Sequence, residues 1–329
     1  MTTTNAPDRM RVVTQTEYGS PDVLTLAEVP RPTPAPTEVL VKVHAAGVNP
    51  VDWKTRSGGG MSSSLGGPPF VLGWDVAGVV EQIAIGVTTL AVGDRVFGMP
   101  WFPRAAGGYG QFVAAPARQF AKIPDNLSFE EAAAVPLAAL TAWQALVDTA
   151  QIEPGQTVMI TAAAGGVGHF ATQFAHHLGA NVIAVASERH HEWLSAHGAA
   201  KVIDYTSVRF EEHVRDADVV IDLVGDGADS TATRAVRVLR PGGLLVVVPS
   251  GGVGDPTLQA AEEAGVRVTA FLVEPDGHGL AQIAQLLEKC DVEVVVDEVF
   301  ALEDVAVAHE RVHAGRTRGK LVLRVSHDT

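Results

Sequence analysis

At 329 residues, with 47% hydrophobic and 19% charged side chains, the chain is long enough for two domains with a core each and too apolar for long disordered tails. A formal net charge of −14 argues against nucleic acid or an anionic membrane surface as partner. The one cysteine, Cys290, excludes internal disulfides and multi-cysteine zinc sites, fits a reducing compartment, and reads as a partly buried structural thiol.

Met1 to Met10 has no apolar core of a secretory leader, and the longest apolar stretch, 132–147, is interrupted by Pro136, Thr141 and Gln144. The expectation is a cytoplasmic protein. Residues 11–27 and 38–46 carry β-branched alternation on either side of a proline-rich loop, 29–36; Val39, Val41 and Val43 alternate with Leu40, Lys42 and His44. The glycine- and serine-rich stretch 57–67 reads as a mobile surface loop. Segments 69–80, 91–99 and 109–115 add short strands, so the first part of the chain is mostly β.

From Phe129 the texture changes. Ser128 opens Ser-Phe-Glu-Glu, a helix N-cap with acidic residues in the first turn. Strands are then expected at 158–161, 182–186, 201–204, 219–223, 244–248 and 266–271, alternating with helices as in a doubly wound parallel sheet. Beyond Pro275, a helix at 280–288, a strand at 292–299, a helix at 302–314 and a strand at 321–325 are expected to return to the β domain.

The most informative stretch is Thr161 to Gly168, TAAAGGVG, between the apolar run 156–160 and a helix at 169–178 that places Phe170, Phe174, Ala175 and Leu178 at helical spacing, with Gly179 to cap it. Such a turn aims unpaired N–H groups and a helix dipole at an anion, usually a diphosphate. Gly165 and Gly168 remove Cβ atoms that would block the approach, and Ala162 stands where the G-x-G-x-x-G pattern has its first glycine. At the end of the next strand, where a carboxylate would select NAD by accepting the ribose 2′-hydroxyl, stands Ala186, followed by Ser187, Glu188, Arg189 and His190. Apart from Glu188 this suits a 2′-phosphate, so NADPH is read over NADH.

These features stand among collinear blocks: GVNPVDWKTRSG (47–58), VLGWDVAGVV (71–80), VGDRVFG (92–98), LSFEEAAAVPLAALTAWQAL (127–146), AAAGGVGHFATQFA (162–175), VIDY (202–205), LRPGG (239–243) and RGKLVL (318–323). On them the sequence resembles the medium-chain dehydrogenase/reductase superfamily, in its zinc-free quinone oxidoreductase and alkenal (enone) reductase branch. The resemblance implies an α/β chain: a GroES-like β-rich catalytic domain, 1–125 completed by 276–329, and a Rossmann NADPH-binding domain, 126–275, with the active site in the cleft and homodimerisation through the edge of the Rossmann sheet.

Zinc alcohol dehydrogenases carry a cysteine where this chain has Asn49, and Gly-His-Glu where it has Gly73-Trp74-Asp75, so no metal is expected. The adjacent histidine pairs 176–177 and 190–191 read as solvated, the spacing from His191 to His197 does not give H-E-x-x-H, and no G-x-S-x-G elbow offers hydrolase chemistry. By resemblance, Asn49 and Thr141 lie beside the nicotinamide, and Ala164, Gly165, Gly166 and Val167 under the diphosphate. Ser187, Arg189 and Tyr205 surround the 2′-phosphate, Val224 and Ser250 line the nicotinamide pocket, and Lys320 reaches the cofactor.

Lys54 is the candidate donor of a hydrogen bond or proton to the substrate carbonyl, with Asp52 setting its orientation or charge; Trp53, Trp74 and Tyr109 are candidate walls of the substrate pocket. The implied activity is zinc-independent hydride transfer from NADPH to a small electrophile, a quinone or an α,β-unsaturated carbonyl. The alternatives are a biosynthetic enoyl reductase and a non-catalytic NADPH-binding redox sensor. A methyltransferase is disfavoured by the preceding β domain.

Overall fold

The computed structural model of the chain describes residues 9–227, 229–249 and 252–326. It divides into two compact units: residues up to Leu140 with Glu274–Cys290 and those from Val294 on, and Thr141–Val273 with Asp291–Glu293. Residues 126–140, which the change of texture places with the nucleotide domain, fall in the first unit, because the helix Phe129–Ala133 packs on the strands Glu38–Val48 and Asp75–Ile83. That helix begins as expected. The Ser128 hydroxyl accepts from Glu131 N at 3.2 Å, and the Glu131 carboxylate accepts from Ser128 N at 2.8 Å.

In chain order the first unit forms β1 (Arg9–Gln15), β2 (Thr25–Pro30), β3 (Glu38–Val48), β4 (Phe70–Val71), β5 (Asp75–Ile83), β6 (Arg95–Gly98), β7 (Phe112–Pro116) and β8 (Phe120–Lys122). The second unit forms β9 (Thr157–Ile160), β10 (Asn181–Ala186), β11 (Ala199–Asp204), β12 (Ala217–Asp222), β13 (Leu239–Val247) and β14 (Arg267–Ala270). The chain then returns to the first unit for β15 (Val296–Ala301) and β16 (Lys320–Arg324).

The main sheet of the first unit orders β15-β16-β3-β5-β6-β8, with β7 also pairing β3. Its register matters for function. Leu321 lies opposite Val48, and Gly47 opposite Asp75, so the start of β16, the end of β3 and the start of β5 meet at one place. The alternation read in β3 is seen in part of its burial: Val39, Val41 and Val43 are fully buried and Lys42 and His44 half-buried, but Leu40, on the same face as Lys42 and His44, is buried too; the valines join Val76, Val80, Val96 and Leu323 in one core.

The second unit is a parallel sheet ordered β11-β10-β9-β12-β13-β14. Strand order reverses at β9, which has β10 on one side and β12 on the other; such a switch point is where doubly wound sheets take ligands, outside the strands' carboxyl ends. The α/β class expected from the alternation of strands and helices is what the chain forms.

Three details differ from the expectations. The stretch 57–67 contains a short helix, Ser62–Leu65. The strand expected from 292 begins at Val296, because Glu293 is held elsewhere: its N–H donates to Gln173 Oε1 at 2.8 Å and its carbonyl accepts from Gln173 Nε2 at 3.1 Å. Cys290 is exposed rather than partly buried, being the left-handed residue that ends the helix Gly277–Glu288. No helix among the described residues is long and apolar enough to cross a membrane.

Candidate active site

In the second unit the turn Thr161 to Gly168 leads from β9 into the helix Gly166–His177, with Gly165 as its extended N-cap. Ala162 adopts a left-handed φ of 48°, the conformation the pattern's first glycine would supply. An alanine bears this at a cost of about 1–2 kcal/mol.

Gly168 has no such freedom: a Cβ there would overlap Ala162 O and stand 2.6 Å from Ala163 Cα, so helix and turn can touch only through glycine. The amides of Gly166, Val167 and Gly168 open the helix and have no intrahelical acceptor. Ala164 is buried and Gly165 to Val167 half-buried, which leaves a shallow cradle lined by backbone. The residues fit a diphosphate.

The start of this turn is pinned to the end of β12. Thr161 Oγ1 donates to Asp222 Oδ1 at 2.7 Å and accepts from Leu223 N at 2.8 Å, while Asp222 also accepts from Val224 N at 3.2 Å and Gly225 N at 2.8 Å. Burial pushes the Asp222 carboxyl up; the Thr161 hydroxyl and the two amides pull it down. Val224, 49% exposed, is therefore held on a fixed loop. Ser250 lies outside the described residues.

At the end of β10, Ala186 is buried, Ser187 half-buried and Arg189 exposed, with Arg189 Nε donating to His190 Nε2 at 3.0 Å. His190 is 8% exposed, so it is not the solvated histidine expected; it holds the arginine instead. In the sheet Ala186 pairs with Asp204, the last residue of β11. That carboxylate is bonded by Ser207 Oγ at 2.5 Å and by Thr206 Oγ1 at 2.7 Å, and these hydroxyls hold it down at about 2. Tyr205 follows, 62% exposed.

In the first unit the sheet register gathers a buried polar cluster. Lys320 Nζ donates to Asn49 Oδ1, to Val48 O at 3.1 Å and to Asp75 Oδ2 at 3.5 Å, which engages all three of its N–H bonds. Asn49 Nδ2 donates to Asp75 Oδ2 at 2.8 Å, and Asp75 Oδ1 accepts from Leu137 N at 2.7 Å. Burial pushes Asp75 up and Lys320 down, each opposed by the charge of the other. An amide flanked by a cation and a carboxylate has one orientation.

Asp52 lies beside this cluster, fully buried, its Oδ2 accepting from Asn49 N at 2.6 Å across the start of the helix Pro50–Arg56. Lys54 is on the same helix but is not among the groups acting on Asp52, which are Asn49, Asp75, Tyr109 and Lys320. Lys54 is half-buried, its Nζ 5.9 Å from the centre of the Trp53 ring, and burial lowers it.

The structure therefore brings Asn49, Asp52 and Lys320 together and leaves Lys54 apart from them. Thr141, 2% exposed, belongs with the second unit, as do the turn and the β10 end. Of the three aromatic candidates, Trp74 and Tyr109 are core residues: the indole donates to Arg104 O at 2.7 Å, and the Tyr109 hydroxyl lies 3.3 Å from His309 Nε2. Trp53 is half-buried with its ring centre 4.2 Å from that of His313.

Sequence reasoning missed Tyr109, His309 and Arg56 as members of the buried polar set. A signal existed for His309. It sits at helical spacing with Val305, Ala308 and Val312, on the stripe that faces the core.

Residues 35–125 match the family model described as "Alcohol dehydrogenase GroES-like domain", and 197–323 that described as "Zinc-binding dehydrogenase". The chain is 36% identical to the 2-methylene-furan-3-one reductase of Solanum lycopersicum, over 98% of its own length and 81% of the relative's. Among solved structures it is similar to the quinone oxidoreductase of Coxiella burnetii (TM-score 0.89, 34% identity, 97% of this chain and 100% of that one). It is also similar to a mycobacterial protein complexed with NADPH (TM-score 0.84, 32% identity, 96% of this chain and 99% of that one).

A GroES-like unit and a doubly wound nucleotide unit, with a dinucleotide cradle in the second, define an oxidoreductase that uses a nicotinamide cofactor. The chain belongs to the medium-chain dehydrogenase/reductase superfamily, in the branch of the quinone oxidoreductases and enone reductases.

Proposed function

We propose that the protein reduces a quinone or an α,β-unsaturated carbonyl with NADPH and without zinc. The observation that carries this reading is the diphosphate cradle at Ala164 to Gly168, set beside a β10 end that has Ala186 in place of a carboxylate. Ser187, Arg189 and Tyr205 hold the 2′-phosphate. The nearest carboxylate in the sheet, Asp204, is already bonded by two hydroxyls.

When bound, the nicotinamide would supply a hydride to an electron-poor carbon or quinone. The chain's residues orient the partners: Asn49 and Thr141 attend the nicotinamide, Val224 borders it, and Lys320 acts through the Asn49 amide it orients. Lys54 donates to the acceptor's oxygen. Zinc is disfavoured by the donors present, since both ends of the Asn49 amide are committed to Lys320 and Asp75 and the Trp74 indole is committed to Arg104. Among the described residues no group of three His, Cys, Asp or Glu side chains could hold a metal.

The test is oxidation of NADPH and NADH by metal-free protein against quinones, alkenals, cyclic enones and simple aldehydes. Preference for NADPH with an enone or quinone supports the reading; preference for NADH, or an aldehyde as the only acceptor, removes it. Lys54→Ala is expected to lower kcat by about 100–1,000-fold with little change in NADPH affinity, the range of one lost oxyanion donor. An unchanged kcat takes Lys54 out of the reaction.

The protein is further proposed to work in the cytoplasm and as a homodimer. β14 is one of the two edge strands of the parallel sheet, with Arg267 and Ala270 exposed, and supports pairing with a second copy. Light scattering on the purified protein decides between monomer and dimer.

A further inference from the structure

We propose that Asp52 is a positioning residue for Asn49, and that Tyr109, His309 and Arg56 form a one-way hydrogen-bonded chain that favours its ionised form. The proposal rests on the reading that Asn49 attends the nicotinamide, and it concerns side chains of the first unit only.

The direction of the chain follows from donor chemistry. Arg56 NH1 lies 3.4 Å from His309 Nδ1, and a guanidinium can only donate, so Nδ1 must accept. A neutral imidazole then carries its one proton on Nε2, which faces the Tyr109 oxygen at 3.3 Å. Protonation of the ring is opposed first by burial and then by the Arg56 charge, which push His309 down to about 3. With its oxygen occupied by that donor, the Tyr109 hydroxyl points its own proton toward Asp52, on which it acts as a donor. Asp52 Oδ1 itself is buried without a hydrogen bond of ordinary geometry.

The arrangement is built rather than incidental. Asp52, Tyr109 and His309 are fully buried and Arg56 is 5% exposed. Tyr109 fits only because Gly73, with a φ of 89°, has no side chain: a Cβ there would meet Tyr109 Cε1 at 2.7 Å. Two residues on, Asp75 belongs to the Asn49 cluster, so one short segment serves both ends of the device.

The other charges facing Asp52 are Asp75, which disfavours its ionisation, and Lys320, which favours it; Glu310 and Asp22 act on Arg56 at the far end. Burial dominates and pushes Asp52 up to about 7, so the carboxyl changes charge in the neutral range. Ionised, it is a full acceptor for the Asn49 N–H, and it adds a negative charge near Lys320 that favours the ammonium orienting the Asn49 amide. Protonated, it loosens both. The ionised form is therefore the active one.

The test is the pH profile of kcat/KM on the best acceptor, read together with the thermal midpoint of the cofactor-free protein. Wild type should gain about tenfold in kcat/KM from pH 6 to pH 8, the ratio for one group titrating near 7. Asp52→Asn, which can still accept from Asn49 N, should flatten that rise, and Tyr109→Phe should move its midpoint to higher pH by removing a donor to the carboxylate. In the cofactor-free protein the sign is fixed by linkage. A carboxyl raised from its ordinary 3.8 to about 7 binds its proton more tightly when folded, so stability is fully present below 3.8 and falls as pH rises through 7. Asp52→Asn should lack that fall.

A wild-type rise retained in Asp52→Asn, or a thermal profile identical in the two proteins, overturns the proposal. A protein that reduces no acceptor yet shows the Asp52-dependent thermal titration sinks the functional reading and leaves the charge-setting chain standing.

Discussion

Replacing Lys320 with methionine is expected to destabilise the folded chain by about 3–5 kcal/mol, the usual cost of breaking a buried ion pair from one side. Lys320 is 3% exposed and its partner Asp75 fully buried, so neither charge has water to fall back on. Methionine keeps the aliphatic stem. It removes the donors to Asn49 Oδ1 and Val48 O and leaves the Asp75 carboxylate without its cation.

Asp75 can answer by binding a proton, a step to which burial already inclines it, and this caps the loss. Adding Asp75→Asn should accordingly recover a large part of it, because a neutral amide beside methionine needs no counter-charge. The amide still accepts from Leu137 N. Urea titration of the two single variants and the double variant forms a cycle in which the coupling should be favourable by at least about 1 kcal/mol. A Lys320→Met variant within 0.5 kcal/mol of wild type would show that the ammonium contributes nothing net. Arginine is not a conservative substitute, since its planar fork cannot aim bonds from one point at the three acceptors that converge on the ammonium.

The parts of this molecule that were legible in the sequence are those whose cause is local. β9 and β10 are apolar runs of four to six residues because both faces of a parallel sheet are covered. The turn after β9 is glycine-rich because backbone must touch backbone there. The helix cap at Ser128 needs only two residues three apart.

The Asn49 cluster has no such local cause. It is assembled by the register of β16, β3 and β5, so Lys320, Asn49 and Asp75 converge only once three strands distant in sequence have paired. A lysine opening an apolar strand reads as an edge residue; nothing in its neighbours says that it is 3% exposed. Resemblance supplied Asn49 and Lys320 as cofactor residues, and the reading of the residues themselves offered Asp52 as an adjunct of Lys54. The geometry instead ties Asp52 to Asn49 and Tyr109, and engages Lys320 fully within the first unit. The same reasoning explains His309 and Cys290. A histidine within an apolar helical stripe is read against its residue type, and a cysteine's exposure depends on how the preceding helix ends.

The larger effect on cofactor binding is expected at Gly168, and its contrast with Gly165 separates what the turn does for the fold from what it does for the ligand. A Cβ at Gly168 would overlap Ala162 O and lie 2.6 Å from Ala163 Cα and 2.8 Å from Ala163 C, all backbone atoms that cannot rotate aside. Gly168→Ala must therefore push the helix Gly166–His177 off the turn, at a cost of about 1–3 kcal/mol from overpacking.

The same movement carries the first helical amides away from a diphosphate, so NADPH affinity should fall by at least about 100-fold, equivalent to roughly 3 kcal/mol. At Gly165 the nearest obstacle to a Cβ is Ala162 O at 3.2 Å, and its φ of −79° suits any residue. Gly165→Ala should leave the thermal midpoint within a degree or two while still weakening NADPH, because the added methyl stands where the ligand's oxygens approach the N-cap. Calorimetric titration with NADPH, paired with thermal unfolding, reads both quantities. If Gly165→Ala binds NADPH as wild type does, the diphosphate is not held at this turn, and the anion-binding role of the helix N-terminus has to be given up even though its close packing through Gly168 remains.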